Sequence, residues 1–362
     1  MKLDVESFYQ PPFGMNEDEN MTKFGYIPLG LMVLMAMLFA PACSGGGKKE
    51  VMLEGKTMGT TFHITVVTEA DTSGLEAAIH RRLAEINQSM STYDPESEIS
   101  RFNRMREVGR PFPVSSDFLQ VMTVAAELHE LTGGAWDGTV SPLVNLWGFG
   151  SRKSAPRIPD PKEIEALLPE VGFRHITVSR DGALKKSLAT VSVDLASIAK
   201  GYGVDQVASV IAAAGIEDFL VGIGGEVYAR GRRPDGGPWR IGINTPKPSA
   251  GRAEIYKVVA ISDRAFATSG DYRNFFLADG HRYSHVLDPR TGRAVDNGVV
   301  SASVIAPTCT FADGLATALM VMGPEKGVGL VNRLSDVECL ILVEGKGGAL
   351  LEYPSEGFRP ES

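Results

Sequence analysis

The spacing of apolar residues along the chain predicts a series of helices joined by short strands. Residues 60–68 alternate polar and apolar side chains, the pattern of a half-buried strand. Leu75, Ile79, Leu83, Ile86 and Met90 recur at helical spacing, after a capping-box pattern at residues 73–76. Further helices are expected at about residues 117–131, after the Asp160-Pro161 pair, at 198–214, at 312–321 and after Pro324.

The second half of the chain has a different pattern. From residue 219 to residue 305, short apolar runs are separated by Gly, Pro, Asn and Asp turns, and one more strand is expected at 339–343. Helices and strands are therefore partly segregated, which is typical of an α+β fold rather than a regular βαβ series.

The N-terminal segment looks like an export signal. Residues 24–42 are almost wholly apolar, follow Lys23, and end in Ala-Pro-Ala before Cys43. A cysteine after such small residues resembles the lipobox of bacterial lipoproteins, so lipidation of Cys43 is expected. A membrane-spanning anchor is the alternative, but the segment is short and contains Pro28 and Gly30. We expect a chain that is lipid-anchored to a bacterial membrane and faces the periplasm or the cell exterior.

The boundaries of the mature protein follow from this interpretation. Residues 1–43 would be the signal peptide and lipobox, although the acidic residues before Met21 make that methionine a better start. Residues 44–50 are predicted to be a flexible tether, 51–355 the functional domain, and 356–362 a C-terminal tail. If Cys43 is lipidated, Cys309 and Cys339 are either paired or separately buried.

Composition narrows the classes of ligand. Of the 362 residues, 36 are Lys or Arg and 44 are Asp or Glu, so the net charge is -8 and no basic surface for nucleic acid is indicated. An enzyme that handles an anionic ligand against this background needs local positive charge or a metal ion.

Three clusters carry candidate chemistry. In residues 194–203 (DLASIAKGYG), a helix is expected to begin near Ser197, and its N-terminal N–H groups with Lys200 favour an anion. Asp313 and Thr317 lie four residues apart on one helix face and could hold Mg²⁺. His285 precedes an Asp-Pro turn and could act as a general base. Each has an ordinary structural alternative: Ser197 as an N-cap, Thr317 bonded to its own helix, and His285 as a surface turn residue.

Taken together and in order, these segments resemble one family, the ApbE-type FAD:protein FMN transferases, over roughly residues 51–345. The segments that carry the resemblance are 55–60 (GKTMGT), 90–103 (MSTYDPESEISRFN), 133–150 (GGAWDGTVSPLVNLWGFG), 194–203, 224–226 (GGE), 267–274 (ATSGDYRN), 283–292 (YSHVLDPRTG) and 311–323 (FADGLATALMVMG).

The resemblance implies a single domain of largely antiparallel sheets with packed helices, and an FAD cleft between two sub-lobes. The residues implied to contact FAD are Met58, Tyr93, Ala135, Trp136, Asp137, Asp194, Lys200 and Leu287. Asp313 and Thr317 are implied to hold Mg²⁺, with Ser197 and Ala316 nearby. Some relatives have an acidic residue in place of Ala316, and some have Glu in place of Lys200.

The implied reaction transfers FMN from FAD to a Thr or Ser hydroxyl of an acceptor protein, a subunit of a membrane redox complex, and releases AMP. His285 would be the base. Two alternatives stay open at this point: an FAD pyrophosphatase that uses water at the same site, and a non-catalytic flavin-binding lipoprotein.

Overall fold

The computed structural model describes residues 48–150, 155–247, 254–272 and 274–361. Cys43 and the apolar segment before it lie outside the described residues, as does Arg273. Within the described residues, no helix combines the length and the apolar character needed to cross a membrane.

The helices of the described chain are concentrated before residue 214 and after residue 309. They are α1 (Leu75–Met90), α2 (Glu98–Arg104), α3 (Ser116–Leu131), α4 (Ser141–Leu146), α5 (Pro161–Leu167), α6 (Ala199–Ala213), α7 (Cys309–Met322) and α8 (Pro324–Val331).

The strands dominate the region between α6 and α7. They are β1 (Lys49–Thr57), β2 (Thr60–Thr68), β3 (Phe112–Pro113), β4 (Ile176–Ser179), β5 (Ala183–Lys186), β6 (Asp218–Ile223), β7 (Glu226–Arg230), β8 (Trp239–Asn244), β9 (Ile255–Ile261), β10 (Arg264–Gly270), β11 (Phe275–Ala278), β12 (His281–Ser284), β13 (Leu287–Asp288), β14 (Arg293–Ala294), β15 (Val299–Ala306), β16 (Glu338–Glu344) and β17 (Leu350–Pro354).

An eight-stranded sheet in the order β1-β2-β6-β7-β10-β15-β16-β17 is the framework, and every neighbouring pair in it is antiparallel. Helices α6 and α7 pack against each other and against strands of this sheet, with α1 and α3 beside them. The main core lies in that layer. The hairpin β8–β9 contributes Trp239, Ile241 and Val259 to a second core with side chains of the same sheet. The predicted α+β architecture with antiparallel sheets is therefore confirmed.

A third, smaller core stands apart from the sheet. It contains the buried side chains Leu143, Trp147, Ile164, Val171 and Leu287, and Phe149, Phe276 and Tyr283 pack against it. We call this group the small core. It brings α4 and α5 together with the turn that follows His285.

Several predicted boundaries need correction. The capping box expected at residues 73–76 is wrong: Gly74 is the N-cap, in a left-handed conformation and with no side-chain cap. Helix α7 begins at Cys309 rather than residue 312 because the Thr308 hydroxyl accepts from the Phe311 N–H. By contrast, α5 begins at Pro161 with Asp160 as its N-cap, as the Asp160-Pro161 pair indicates.

The two ends of the domain are more ordered than the sequence suggests. Strand β1 begins at Lys49, inside the segment assigned to the tether. Near the C-terminus, Phe358 is buried in the second core and Glu361 pairs with Arg240. Cys309 and Cys339 are free, buried thiols, so the alternative of two separately buried cysteines holds.

Candidate active site

The candidate site forms where the N-termini of α6 and α7 meet. Asp205 fixes the first turn of α7, because its carboxylate accepts from the backbone N–H groups of Cys309 and Thr310, each at 2.8 Å, and from the Thr310 hydroxyl. Burial raises the pKa of Asp205 to about 6, although these hydrogen bonds act in the opposite direction. The sequence predicts no role for Asp205, because an acid inside a helix gives no local signal of a distant cap.

Gly201 allows the two helices to approach closely. A Cβ atom at this position would lie 2.3 Å from the Cys309 carbonyl oxygen and 2.9 Å from Asp313 Cβ. The N–H of Gly201 donates to Asp313 Oδ2 at 3.0 Å. The start of α6 therefore does bind an anion, and that anion is the carboxylate of the protein's own Asp313.

Lys200 lies between two buried carboxylates. Its Nζ is 3.1 Å from Glu226 Oε1 and 3.5 Å from Asp313 Oδ2. Burial lowers the pKa of Lys200, but attraction to Asp313 and Glu226 outweighs burial and raises it, so the ammonium stays charged. We call Lys200, Glu226 and Asp313 the charge cluster.

Glu226 is the member of the charge cluster to which the sequence analysis gave no role. It is 4% exposed, and burial with the nearby Asp313 charge raises its pKa to about 7. It lies in the GGE segment at residues 224–226, but a glutamate that begins a strand is an ordinary surface pattern. Only the return of β7 towards α6 shows that it faces Lys200.

The candidate metal ligands are oxygen atoms on α7 and its surroundings. Asp313 is 3% exposed, and within the described ranges its Oδ1 accepts no hydrogen bond, while Oδ2 takes the contacts from Gly201 and Lys200. Thr317 Oγ1 lies 3.0 Å from the hydroxyl of Ser269, a second residue that the sequence did not single out. A carboxylate with an unused oxygen and two hydroxyls suit a hard cation such as Mg²⁺.

Of the two remaining candidate metal residues, Ala316 precedes Thr317 in α7 and Ser197 lies just before α6. Ala316 is fully buried in α7. The Ser197 hydroxyl accepts from Trp136 Nε1 at 3.1 Å and caps no helix, because α6 begins after Ile198. The described residues hold no group of three His, Cys, Asp or Glu side chains able to bind a metal.

Among the candidate flavin contacts, Met58 lies at the β1–β2 turn. Its φ angle is 48°, a left-handed conformation that is uncommon for a side chain other than glycine. The Met58 side chain reaches Gly203 of α6, where a Cβ would be 2.9 Å from its Cε. The turn thus places Met58 against the helix that carries Lys200.

The stretch 135–137 is tightly packed. Ala135 and Trp136 are each 1% exposed, and Trp136 belongs to the main core. The Asp137 carboxylate accepts from Thr139 N–H and hydroxyl, at 2.8 and 2.6 Å, and from Phe173 N–H at 2.9 Å. It also lies 3.2 Å from His129 Nδ1. These side chains hold the loop together, and their contact with FAD stays a prediction.

Asp194 and Tyr93 occupy contrasting positions. The Asp194 N–H donates to the Gly138 carbonyl at 2.7 Å, which ties the segment before α6 to the 135–138 loop, and its carboxylate accepts from Ala196 N–H. Tyr93 lies in the loop between α1 and α2 and is 85% exposed. A large aromatic side chain this exposed is available to a ligand.

His285 follows β12 directly and is half-buried. Its Nδ1 lies 3.1 Å from the carbonyl oxygen of Asn274, and its backbone N–H donates to the same oxygen at 3.1 Å. Burial lowers the pKa of His285, against the raising effect of the Asn274 hydrogen bond. Since a carbonyl only accepts, Nδ1 carries the proton and Nε2 of the neutral ring is left as an acceptor.

The small core fixes the turn after His285. Leu287 is 5% exposed within it, and Trp147 Nε1 donates to the Gly292 carbonyl at 2.9 Å. The Phe149 ring meets the His285 ring edge-on, with centroids 6.3 Å apart. On its other side, the turn approaches the 134–137 loop, because a Cβ at Gly134 would lie 3.6 Å from Arg290 Cγ.

The charge cluster, together with a neutral histidine held on a turn, fits an enzyme that binds an anionic substrate and moves a proton. The comparison with known proteins agrees with this class. A model of the ApbE family matches residues 58–341. The chain belongs to the ApbE family and is an enzyme of the transferase class.

Individual relatives cover nearly the whole domain. A Vibrio cholerae protein named FAD:protein FMN transferase is 43% identical over 333 residues, 91% of this chain and 98% of the relative. A Haemophilus influenzae protein of the same name is 37% identical over 323 residues, 87% and 93% of the two chains.

Solved structures agree with the fold. The Vibrio cholerae flavin transferase ApbE has a TM-score of 0.78 at 42% identity, covering 86% of this chain and 98% of that one. The apo form of the Pseudomonas stutzeri flavinyl transferase ApbE has a TM-score of 0.76 at 35% identity, covering 85% and 95%.

Proposed function

We propose that this chain transfers FMN from FAD to a Thr or Ser hydroxyl of an acceptor protein and releases AMP, in a reaction that depends on Mg²⁺. Family membership and the name of the curated relatives support the transfer of FMN from FAD. The observation that supports the mechanism is the environment of His285. Its lowered pKa favours the neutral imidazole, and its Nδ1 is hydrogen-bonded to the Asn274 carbonyl.

In the proposed mechanism, His285 removes the proton of the acceptor hydroxyl. Its lowered pKa keeps the ring neutral at pH 7, so Nε2 has a lone pair for the proton. A Thr or Ser hydroxyl is a weak nucleophile until a base takes that proton. The small core holds the His285 turn, which fixes the ring for this step.

The group transfer balances as a substitution at phosphorus. The acceptor oxygen attacks the phosphorus on the riboflavin side of FAD, and the bond from that phosphorus to the bridging oxygen breaks. The bridging oxygen leaves with AMP, and the hydroxyl proton passes to His285. The product is FMN joined to the acceptor through a phosphoester.

The candidate ligands fit the Mg²⁺ that the family implies. Asp313 and Thr317 would hold the ion through side-chain oxygens, with Ser197 and Ala316 nearby. The bound ion would offset negative charge on the pyrophosphate and on the departing AMP. The Gly201 N–H orients the Asp313 carboxylate for this role.

Product analysis tests the proposed function. The purified protein is incubated with FAD, Mg²⁺ and a candidate acceptor domain, and the intact mass of the acceptor is measured. The expected result is an acceptor heavier by one FMN with one AMP released. Free FMN with AMP and an unmodified acceptor would instead establish an FAD pyrophosphatase, and no turnover of FAD would leave a flavin-binding protein.

We also propose that the mature chain is a lipoprotein anchored through Cys43, which would place the site beside acceptors in membrane redox complexes. The Ala-Pro-Ala-Cys junction after an apolar segment supports this. A Cys43→Ser variant is expected to leave the membrane fraction. Retention of that variant after a high-salt wash would contradict lipidation and favour a membrane-spanning segment.

A further inference from the structure

Lys200 contacts two carboxylates, only one of which belongs to the candidate metal site. Its Nζ is 3.1 Å from Glu226 Oε1 and 3.5 Å from Asp313 Oδ2, and both acids are almost fully buried. The ammonium therefore already occupies a position beside the oxygen atoms that a divalent cation would approach. Two cations that share one carboxylate repel each other, so metal binding requires Lys200 to have another partner.

Glu226 has unused capacity to be that partner. Among the described residues, its Oε2 is buried and has no hydrogen-bond partner, although a buried carboxylate oxygen normally has one. Lys200 Nζ already lies nearer to Glu226 Oε1, at 3.1 Å, than to Asp313 Oδ2, at 3.5 Å. A movement of Nζ away from Asp313 could therefore bring the ammonium onto both oxygens of Glu226.

The backbone beside Glu226 leaves room for this movement. Gly224 has a φ of 67°, and a Cβ there would lie 3.2 Å from Lys200 Cδ and 3.3 Å from Glu226 Oε2. Because Gly224 has no side chain, the Lys200 methylene chain and the Glu226 carboxylate can lie side by side here. A larger residue would press on both side chains.

We propose that Glu226 is a positioning residue, which draws the Lys200 ammonium off Asp313 when a divalent cation binds to Asp313 and Thr317. This inference rests on the proposed metal-dependent function. Without metal, Lys200 is the counter-ion of both acids; with metal, Glu226 alone holds it. Affinity for the metal then depends on a residue that does not coordinate it.

The test measures Mn²⁺ binding to the purified protein at pH 8 by calorimetry and by electron paramagnetic resonance, without FAD or an acceptor. Glu226→Gln keeps the shape and removes the charge, so Lys200 should stay on Asp313 and Mn²⁺ should bind about tenfold more weakly. Lys200→Met removes the competing cation, and Mn²⁺ should bind more tightly than to the unsubstituted protein.

The double variant separates positioning from a direct effect of the Glu226 charge. If Glu226 acts through Lys200, Glu226→Gln weakens Mn²⁺ binding much less in the Lys200→Met background than in the parent. Equal weakening in both backgrounds would overturn the proposal, because Glu226 would then act on the metal itself. Unchanged Mn²⁺ affinity in Glu226→Gln would overturn it as well, while leaving the proposed transferase function intact.

Two further variants complete the design. Asp271→Asn is the control: it also removes a buried carboxylate, but one whose partner is Arg282. Because Lys200 keeps both of its partners in this variant, Mn²⁺ affinity should stay unchanged. If Glu226→Gln fails to fold, Glu226→Asp keeps the charge but shortens the reach to Lys200, and a smaller loss of affinity is expected. Failure of the unsubstituted protein to bind Mn²⁺ would reject both this inference and the metal dependence on which it rests.

Discussion

The charge cluster and the His285 turn differ in how the fold holds them. Lys200 lies in the first turn of α6 and Asp313 just beyond the first turn of α7, and the two helices pack against each other and against the eight-stranded sheet. His285 lies between two short strands, and one carbonyl holds its ring nitrogen. The first region is part of the main core, whereas the second rests on the small core.

This difference matches the work proposed for each region. Buried charges need charged or hydrogen-bonding partners, because an uncompensated carboxylate in a core is costly, and the two packed helices supply such partners. A general base needs a free lone pair and a pKa low enough to leave it neutral, and a partly exposed turn can supply both. The predictions below change one region at a time and ask whether the other responds.

The largest effect is expected from His285→Ala. Loss of a general base should lower the rate of FMN transfer about 10²–10⁴-fold, while FAD and metal binding change little. Rates of acceptor loading and FAD titrations on the same variant measure both quantities. His281→Ala, an exposed histidine four residues earlier, is the matched control and should keep full activity. Normal transfer by His285→Ala would remove the base assignment.

The same assignment predicts a pH profile. Burial lowers the pKa of His285 below 6.5, the ordinary value for histidine. The neutral, basic form of the ring therefore predominates at pH 6.5 and above. As the pH rises towards 6.5, kcat/KM should rise with the fraction of neutral His285. The His285→Ala variant should lack this rise. If the rise in kcat/KM with pH survives the substitution, it belongs to another group. Glu226, whose pKa is raised to about 7, is then the next candidate.

Asp313→Asn tests the other region. The substitution removes one charge from the cluster and should raise the Mg²⁺ concentration for half-maximal activity by about 30-fold or more, the lower end of what about 2–5 kcal/mol of lost charged contact corresponds to. Titration of Mg²⁺ against transfer rate measures this, and FAD affinity should weaken alongside. The lower limb of the pH profile should stay unchanged, because His285 is untouched. Full activity at low micromolar Mg²⁺ would remove Asp313 from the metal site.

Sequence patterns predicted best what depends on neighbours in the chain. The strand at residues 60–68 and the Asp160 cap agree with the structure because both depend on neighbours in the chain, although the equally local capping pattern at residues 73–76 does not form. The pattern missed the true start of α7, which Thr308 caps with help from Asp205, a residue 104 positions away from Cys309. Long-range partners of this kind leave no local trace.

The candidate site shows the same limit. Motif resemblance named Lys200, Asp313 and Thr317, and the structure brings Lys200 and Asp313 into contact. It did not name Glu226 or Ser269 as participants, because their importance comes from the strands that return to face α6 and α7. It also could not show that the Asp137 carboxylate is surrounded by protein donors.

A smaller effect is expected from Gly201→Ala, which strains the contact between α6 and α7. The added methyl group would meet a backbone carbonyl rather than a flexible side chain, so stability should fall by about 1–3 kcal/mol. Mn²⁺ affinity should fall too, since the Gly201 N–H holds Asp313. Gly329→Ala in α8 is the control. A Cβ at Gly329 would meet no atom within 4 Å outside its chain neighbours and its own helix backbone, so a gain in stability of about 0.5–1 kcal/mol is expected. Denaturant unfolding compares the two, and equal stabilities would contradict the close-approach argument.

The smallest effect is expected from Trp147→Phe, which loosens the small core without touching a charged group. The change removes the hydrogen bond to the Gly292 carbonyl and should cost about 0.5–1.5 kcal/mol of stability. Because this core holds the His285 turn, kcat should fall a few-fold while Mn²⁺ affinity stays the same.

Trp239→Phe is the matched control for that change, because Trp239 Nε1 also donates to a backbone carbonyl at 2.9 Å, that of Arg230, but in the core shared with β8 and β9. It should cost similar stability and leave kcat unchanged. Unfolding curves, single-turnover transfer rates and Mn²⁺ titrations on both variants decide the matter. If the two substitutions lower kcat equally, the small core has no particular hold on His285, and the loss reflects global stability. If Trp147→Phe weakens Mn²⁺ binding as much as it lowers kcat, the two regions are coupled, and the proposed division of work between the charge cluster and the His285 turn is wrong.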